Sequence, residues 1–267
     1  MASDNIVLTS LLTQLGESPQ IKAAAADVAG AVRSVRFSTG LRRSWREART
    51  EASVHCVCSS LHAAGITVYP DTIRREVVDL GEPASWQARG AWRAHADVMD
   101  HVPPLNTRDV APRPAPSAAA MLARLRRDVA STHPDPAVRA HAGIASGSAG
   151  DAERLLANIA SANAPALVVL AVLIGQWLSD PPGLVGDGIV RDAMVRWVAT
   201  SRGFEPTGTA VIDTAALGEM LHHYRSGTPE GMAIWVGAVS RAYVTAMSGA
   251  LAISQSILAG RTDPSLG

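Results

Sequence analysis

Lysine is almost absent from this chain: Lys22 stands alone beside 23 arginines. Aromatic residues are 4% of the total, only two cysteines occur, and the formal net charge is zero. Each shortage excludes something. A broad basic surface for nucleic acid is not expected when acidic and basic residues balance, and the arginine bias reads as a bias of composition, not as phosphate recognition. Cys56 and Cys58 form a C-x-C; two residues apart on a helix they point away from each other, so no mutual disulfide is expected. Without a second Cys/His pair at ligand spacing they make no zinc site. No charged start with a following apolar run marks a signal peptide. The most apolar stretch, Ala164 to Leu178, spans only about 22 Å as a helix, too short to cross a bilayer. A cytoplasmic location without membrane or nucleic-acid contact is the expectation.

What is abundant is alanine, at 47 of 267 residues. Alanine is the best helix former and sheets favour branched or aromatic side chains, so an all-α protein is expected. Caps and breakers divide the chain. Asn5 caps a helix to about Leu15, and Ser18-Pro19 opens another to about Arg36. Ser44 with Glu47 reads as a capping box for a helix to Ala64, stopped at Gly65. Asp71 caps a helix to Leu80. Five prolines between residues 102 and 117 make an extended linker. Residues 142–150 read as a loop, with Ser148 and Asp151 opening the next helix. The apolar helix follows Pro165 and must stop near Ser179, because Pro181-Pro182 cannot continue it. A helix from Ile189 to Ser201, another from Thr214 to about Ser226, and a long one from Glu230 to Leu258 with a break at Ser248-Gly249 complete the pattern.

The arrangement with chemical content is the Pro/Gly loop between two core helices, S-D-P-P-G-L-V-G-D-G-I-V-R. A glycine loop at a helix start offers several backbone N–H groups to an anion, and the helix dipole assists. Two readings of Gly183, Gly186, Asp187 and Gly188 stand side by side: a nucleotide- or anion-binding loop, or an ordinary connection in which Asp187 caps the following helix. Around it, Trp177 and Trp197 read as core, Cys56 as a buried small apolar residue, and Arg42, Arg43, Arg46 and Arg49 as a solvated face paired with Glu47 and Glu51.

The loop resembles the H-P-F-x-x-G-N-G-R motif of the Fic family, which sits between two such helices of an all-α fold. The stretches 41–49 and 224–231 with Trp235 resemble divergent bacterial members of that family. The resemblance implies a Fic-like helical bundle over residues 41–262, with residues 1–40 as an N-terminal helical extension. It also implies transfer of AMP or a related group to a protein hydroxyl, with ATP and Mg²⁺. The residues depart from that implication. Asp180 stands where the family has its general base, Gly186-Asp187-Gly188 stands for G-N-G after one extra residue, and Ile189 replaces the phosphate-binding arginine. Ser60 to Gly65 keeps the Ser and Gly of the family's inhibitory motif but has Ala64 for its Glu. The expectation is a degenerate Fic-like protein, a non-catalytic module binding an unidentified protein or ligand, without cofactor or metal, and able to form a homodimer. The alternative is a metal-dependent nucleotidyl transferase using Asp180 and Asp187 with ATP and Mg²⁺.

Overall fold

The computed structural model describes residues 2–77, 85–106, 114–142 and 145–260. Twelve α-helices and one 3-10 turn lie among them, with no strand. α1 (Ala2–Gly16) and α2 (Pro19–Arg36) come first. α3 (Thr39–Ala63) begins earlier than its capping box suggests, because Ser38 accepts the Leu41 N–H; Ser44 instead leaves helical geometry (φ −133°, ψ 42°) and kinks it. α4 (Pro70–Val77) follows, and the expected end at Leu80 lies outside the described residues. α5 (Trp86–Asp100) and α6 (Ala118–Ala130) flank the proline-rich stretch, each opened by a serine that accepts an N–H of the first turn.

α7 (Pro136–Ala140) is a single turn capped by Asp135. α8 (Gly147–Ser161) takes up residues 147–150, which the sequence suggested as loop. α9 (Ala166–Ser179) and α10 (Asp187–Ser201) are the apolar pair. The expected helix from Thr214 is a 3-10 turn (Ala216–Met220) running into α11 (Leu221–Arg225). α12 (Pro229–Leu258) is unbroken through Gly249, since glycine weakens a helix interior by only about 1 kcal/mol and packing overrides it.

α10 is the centre. Every residue from Ile189 to Thr200 is buried, and the helix is enclosed by α3, α5, α6 and α9. α12 lies along α2, α3 and α9, and Trp235 donates its indole N–H to the Ala171 carbonyl at 2.8 Å. α2 buries Ile21, Val28, Val32 and Val35, the bulk of its packing being against α12. Leu167, Leu170, Leu173 and Ile174 are fully enclosed, as their spacing predicted. α12 is long and apolar enough to cross a membrane by length and composition, and 50% of its apolar window is buried inside the fold, as in a core helix.

Candidate functional site

The loop of residues 180–186 leaves α9 at Asp180, which is exposed, and re-enters helix through two left-handed glycines, Gly183 (φ +74°) and Gly186 (φ +72°). At Gly186 a side chain is excluded twice over: the backbone is left-handed, and a Cβ would lie 2.4 Å from Val129 Cγ1 on α6. Asp187 is the first residue of α10 but does not cap it. Its Oδ2 accepts the Leu184 N–H at 2.8 Å, which ties the loop to itself. Its Oδ1 forms an ion pair with Arg126 Nη2. The capping reading of Asp187 is thereby corrected; the residue before it, Gly186, occupies the cap position without a side chain to offer.

Arg126 comes from α6 and is 4% exposed. Its Nε donates to Glu153 Oε1 on α8 at 2.6 Å, and its guanidinium lies 5.8 Å from the centre of the Trp177 ring. Three helices therefore meet at this charge triad. A second arginine approaches from one turn further along α10: Arg191 Nη2 lies 3.8 Å from where a Cβ on Gly188 would be, and its Nε donates to Asp192 Oδ1 at 2.9 Å. Thr214 donates to the same Asp192 oxygen at 2.5 Å. The start of α10 is thus furnished with arginines, one on a neighbouring helix and one two places after Ile189. Alignment on the family motif missed both. Each faces a carboxylate of this chain. The dipole end of α10, which would otherwise favour an anion, already holds Asp187.

Ser60 and Gly65, which the sequence comparison set against an inhibitory motif, have structural roles. Ser60 is buried and pairs with His95 Nε2 at 3.2 Å; burial, with Arg196 nearby, holds His95 neutral, its pKa well below the usual histidine value. Gly65 (φ +76°) ends α3 in the left-handed conformation.

The basic face of α3 is not uniformly solvated, which corrects two of its residues. Glu51 is enclosed with His55 Nε2 at 3.2 Å and is gripped by Arg74 of α4. Burial alone would raise its pKa, but the hydrogen bonds from His55 and Arg74 prevail and lower it to about 2. Arg49 is 5% exposed. Its Nε donates to the Thr207 carbonyl at 2.7 Å and its Nη2 to the Pro206 carbonyl at 3.2 Å. Next to it, Arg196 of α10 donates to Ser53 Oγ at 2.9 Å and to the Gly208 carbonyl at 2.7 Å. Glu205 is fully enclosed and accepts the Thr207 and Gly208 N–H groups at about 3 Å; burial raises its pKa, against the pull of Thr207 and Arg196. Burial, reinforced by Arg196 and opposed by Glu205, lowers Arg49 to about 10, so it remains a cation at neutral pH.

This cluster underlies a cleft of about 590 Å³ between α3 and α5. Trp45, Trp92, Met99, Pro103 and Pro104 give its wall an apolar and aromatic character, with Arg46, Arg49, Thr50 and Ser53 on the α3 side. The guanidinium carbons of Arg46 and Arg49 lie 5.0 and 4.8 Å from the centre of the Trp45 ring. The sequence signal for it was Trp45 with arginines one and four residues on, and Trp92 on a separate helix; nothing local brings them together. Among the described residues no group of three or more His, Cys, Asp or Glu is arranged to hold a metal ion.

Compared with protein-family models and with curated proteins, the sequence matches none.

Proposed function

We propose that this chain is a degenerate, Fic-like protein that acts by binding and not by catalysis. The observation that supports this most directly is the engagement of Asp187: one oxygen holds the loop at Leu184 and the other holds Arg126. Phosphate at the same helix start would meet that carboxylate, and at about 4 Å with an effective dielectric near 20 the repulsion is about 4 kcal/mol per charge pair. Asp180, in the position of the family's base, is exposed on the rim of the loop. A metal-dependent transferase would need Asp187 as a ligand, in competition with Arg126.

The test is transfer of radiolabelled AMP from ATP, with Mg²⁺ or Mn²⁺, to the protein itself and to lysate proteins. No labelling above a boiled control is expected. Labelling by the unmodified protein that Asp180→Ala abolishes would reverse the conclusion.

A further inference from the structure

Resting on the non-catalytic reading above, we propose that the cleft between α3 and α5 is the ligand site of this protein, and that its ligand is a small, flat aromatic anion. Its volume of about 590 Å³ falls within the range of small-molecule sites, roughly 300–1,000 Å³ with mostly apolar walls and few polar groups. An indole and a thioether, Trp92 and Met99, supply surfaces on which a planar ring stacks, and Trp45 holds the two guanidinium groups beside them. The charge on the wall selects the sign of the ligand. Arg46 and Arg49 both lie over Trp45, so a cationic guest seeking that ring would meet two like charges. The hydrogen bonds that hold Arg49 and Arg196 go to main-chain carbonyls and to Ser53, with Glu205 enclosed beside them, and exposed Arg46 carries the positive charge at the mouth of the cleft. Among the described residues Asp100 is the one acidic group on the lining, and it is exposed. The Thr50 and Ser53 hydroxyls on the same side donate to the Arg46 and Arg49 carbonyls, at 3.1 and 2.9 Å, which leaves the guanidinium groups as the donors of that wall.

The cleft is separate from the loop at residues 180–188. Arg196, beneath its floor, lies nine residues along α10 from Asp187, about 13 Å at the helical rise. A ligand here therefore leaves the Asp187–Arg126 pair untouched.

The full chain is titrated with 2-naphthoate, with neutral 2-naphthamide, with phenyltrimethylammonium and with inorganic phosphate, read by calorimetry and tryptophan fluorescence. Saturable one-to-one binding of 2-naphthoate is expected. The amide should bind about tenfold more weakly, the change expected when a charge-assisted hydrogen bond is lost. The cation and phosphate should neither bind nor compete. Arg46→Gln, at an exposed position, should weaken 2-naphthoate several-fold and leave the amide unchanged. Ala96→Leu, which fills the lining, should weaken both while the helical circular dichroism persists. Absence of 2-naphthoate binding, equal affinity for acid and amide, or insensitivity to Ala96→Leu overturns the proposal. The AMP-labelling assay reads the other site. Labelling with intact naphthoate binding removes the non-catalytic reading and leaves the cleft; no labelling with no naphthoate binding does the opposite.

Discussion

The two ends of α10 are built from the same residue types to opposite effect. At its start, Arg126, Glu153 and Asp187 come from three helices and close on one another. Side chain meets side chain, one guanidinium sits between two carboxylates, and the dipole end that could hold a ligand is filled by the protein. In its second half, Arg196 and its neighbour Arg49 direct their donors at the carbonyls of Pro206, Thr207 and Gly208. A carbonyl satisfies a hydrogen bond without neutralising a cation. The first pattern closes a site; the second fixes a segment of chain in place, with one enclosed carboxylate, Glu205, beside two arginines, so that an excess of positive charge stays under a cleft. Whether an arginine faces a carboxylate or the main chain thus separates a plugged site from an open one.

The sharpest way to break this comparison is Arg196→Met. It leaves Ser53 and the Gly208 carbonyl without their donor and removes the cation that offsets enclosed Glu205. Removing one partner of a buried charge costs about 3–5 kcal/mol, so urea unfolding should show a loss of that size or no folded protein at all. A loss under about 1 kcal/mol would mean the second half of α10 is held by packing alone, below even a typical buried charge contribution. Leu170→Ala on α9 sets the scale for packing: the side chain is fully enclosed, and such truncations cost about 2–5 kcal/mol. Asp187→Asn should come next, at about 1–2 kcal/mol, because Asn retains an acceptor for the Leu184 N–H but surrenders the ionic bond to Arg126. Had Asp187 been a cap, the same change would cost almost nothing, since Asn caps as well as Asp. The variant should also gain weak sulfate binding by calorimetry, with Arg126 released; a stable variant that binds no sulfate would show that the loop geometry, and not the carboxylate, excludes anions.

The helical class, the α9–loop–α10 unit and its enclosed leucines were legible because they rest on local signals: alanine content, proline stops and helical spacing. The bounds of α9 and the loop follow from Pro165 and Pro181-Pro182 alone. What was not legible depends on partners distant in sequence. Asp187 looks like a cap until Arg126, on another helix, is placed against it. Arg49 looks solvated until the 205–210 segment folds over it; the carbonyls it binds are 157 and 158 residues away. Ser44 carries a capping pattern, but Ser38 takes the cap because the chain turns there, and Ser44 marks a kink.

The smallest effect separates α6's two sides. One side delivers Arg126 to the plugged loop; the other carries Asp128 towards α5, where burial first, and then the nearby carboxylate of Asp97, push its pKa up to about 6 against the pull of Arg124, Arg127 and Arg93. The unfolded value is near 3.8, so the folded protein binds the proton more tightly. Below about pH 4 the group is neutral in both states and costs nothing; between pH 4 and 6 the folded state comes to carry an unfavourable charge, and above pH 6 the whole cost is present. Stability from this group therefore falls as pH rises, opposite to Glu51, whose contribution is full above 4.5 and lost as pH falls towards 2. Asp128 is only half-buried, so solvent screening reduces the cost to about 1 kcal/mol or less. Asp128→Asn should stabilise the protein by that amount at pH 7.5 and by nothing at pH 4, measured by urea unfolding at both. An equal gain at the two pH values would assign the effect to packing along the α5–α6 seam; a loss at pH 7.5 would show that the Asp128 carboxylate is held by Arg124, and that this side of α6 pairs its charges just as the Arg126 side does.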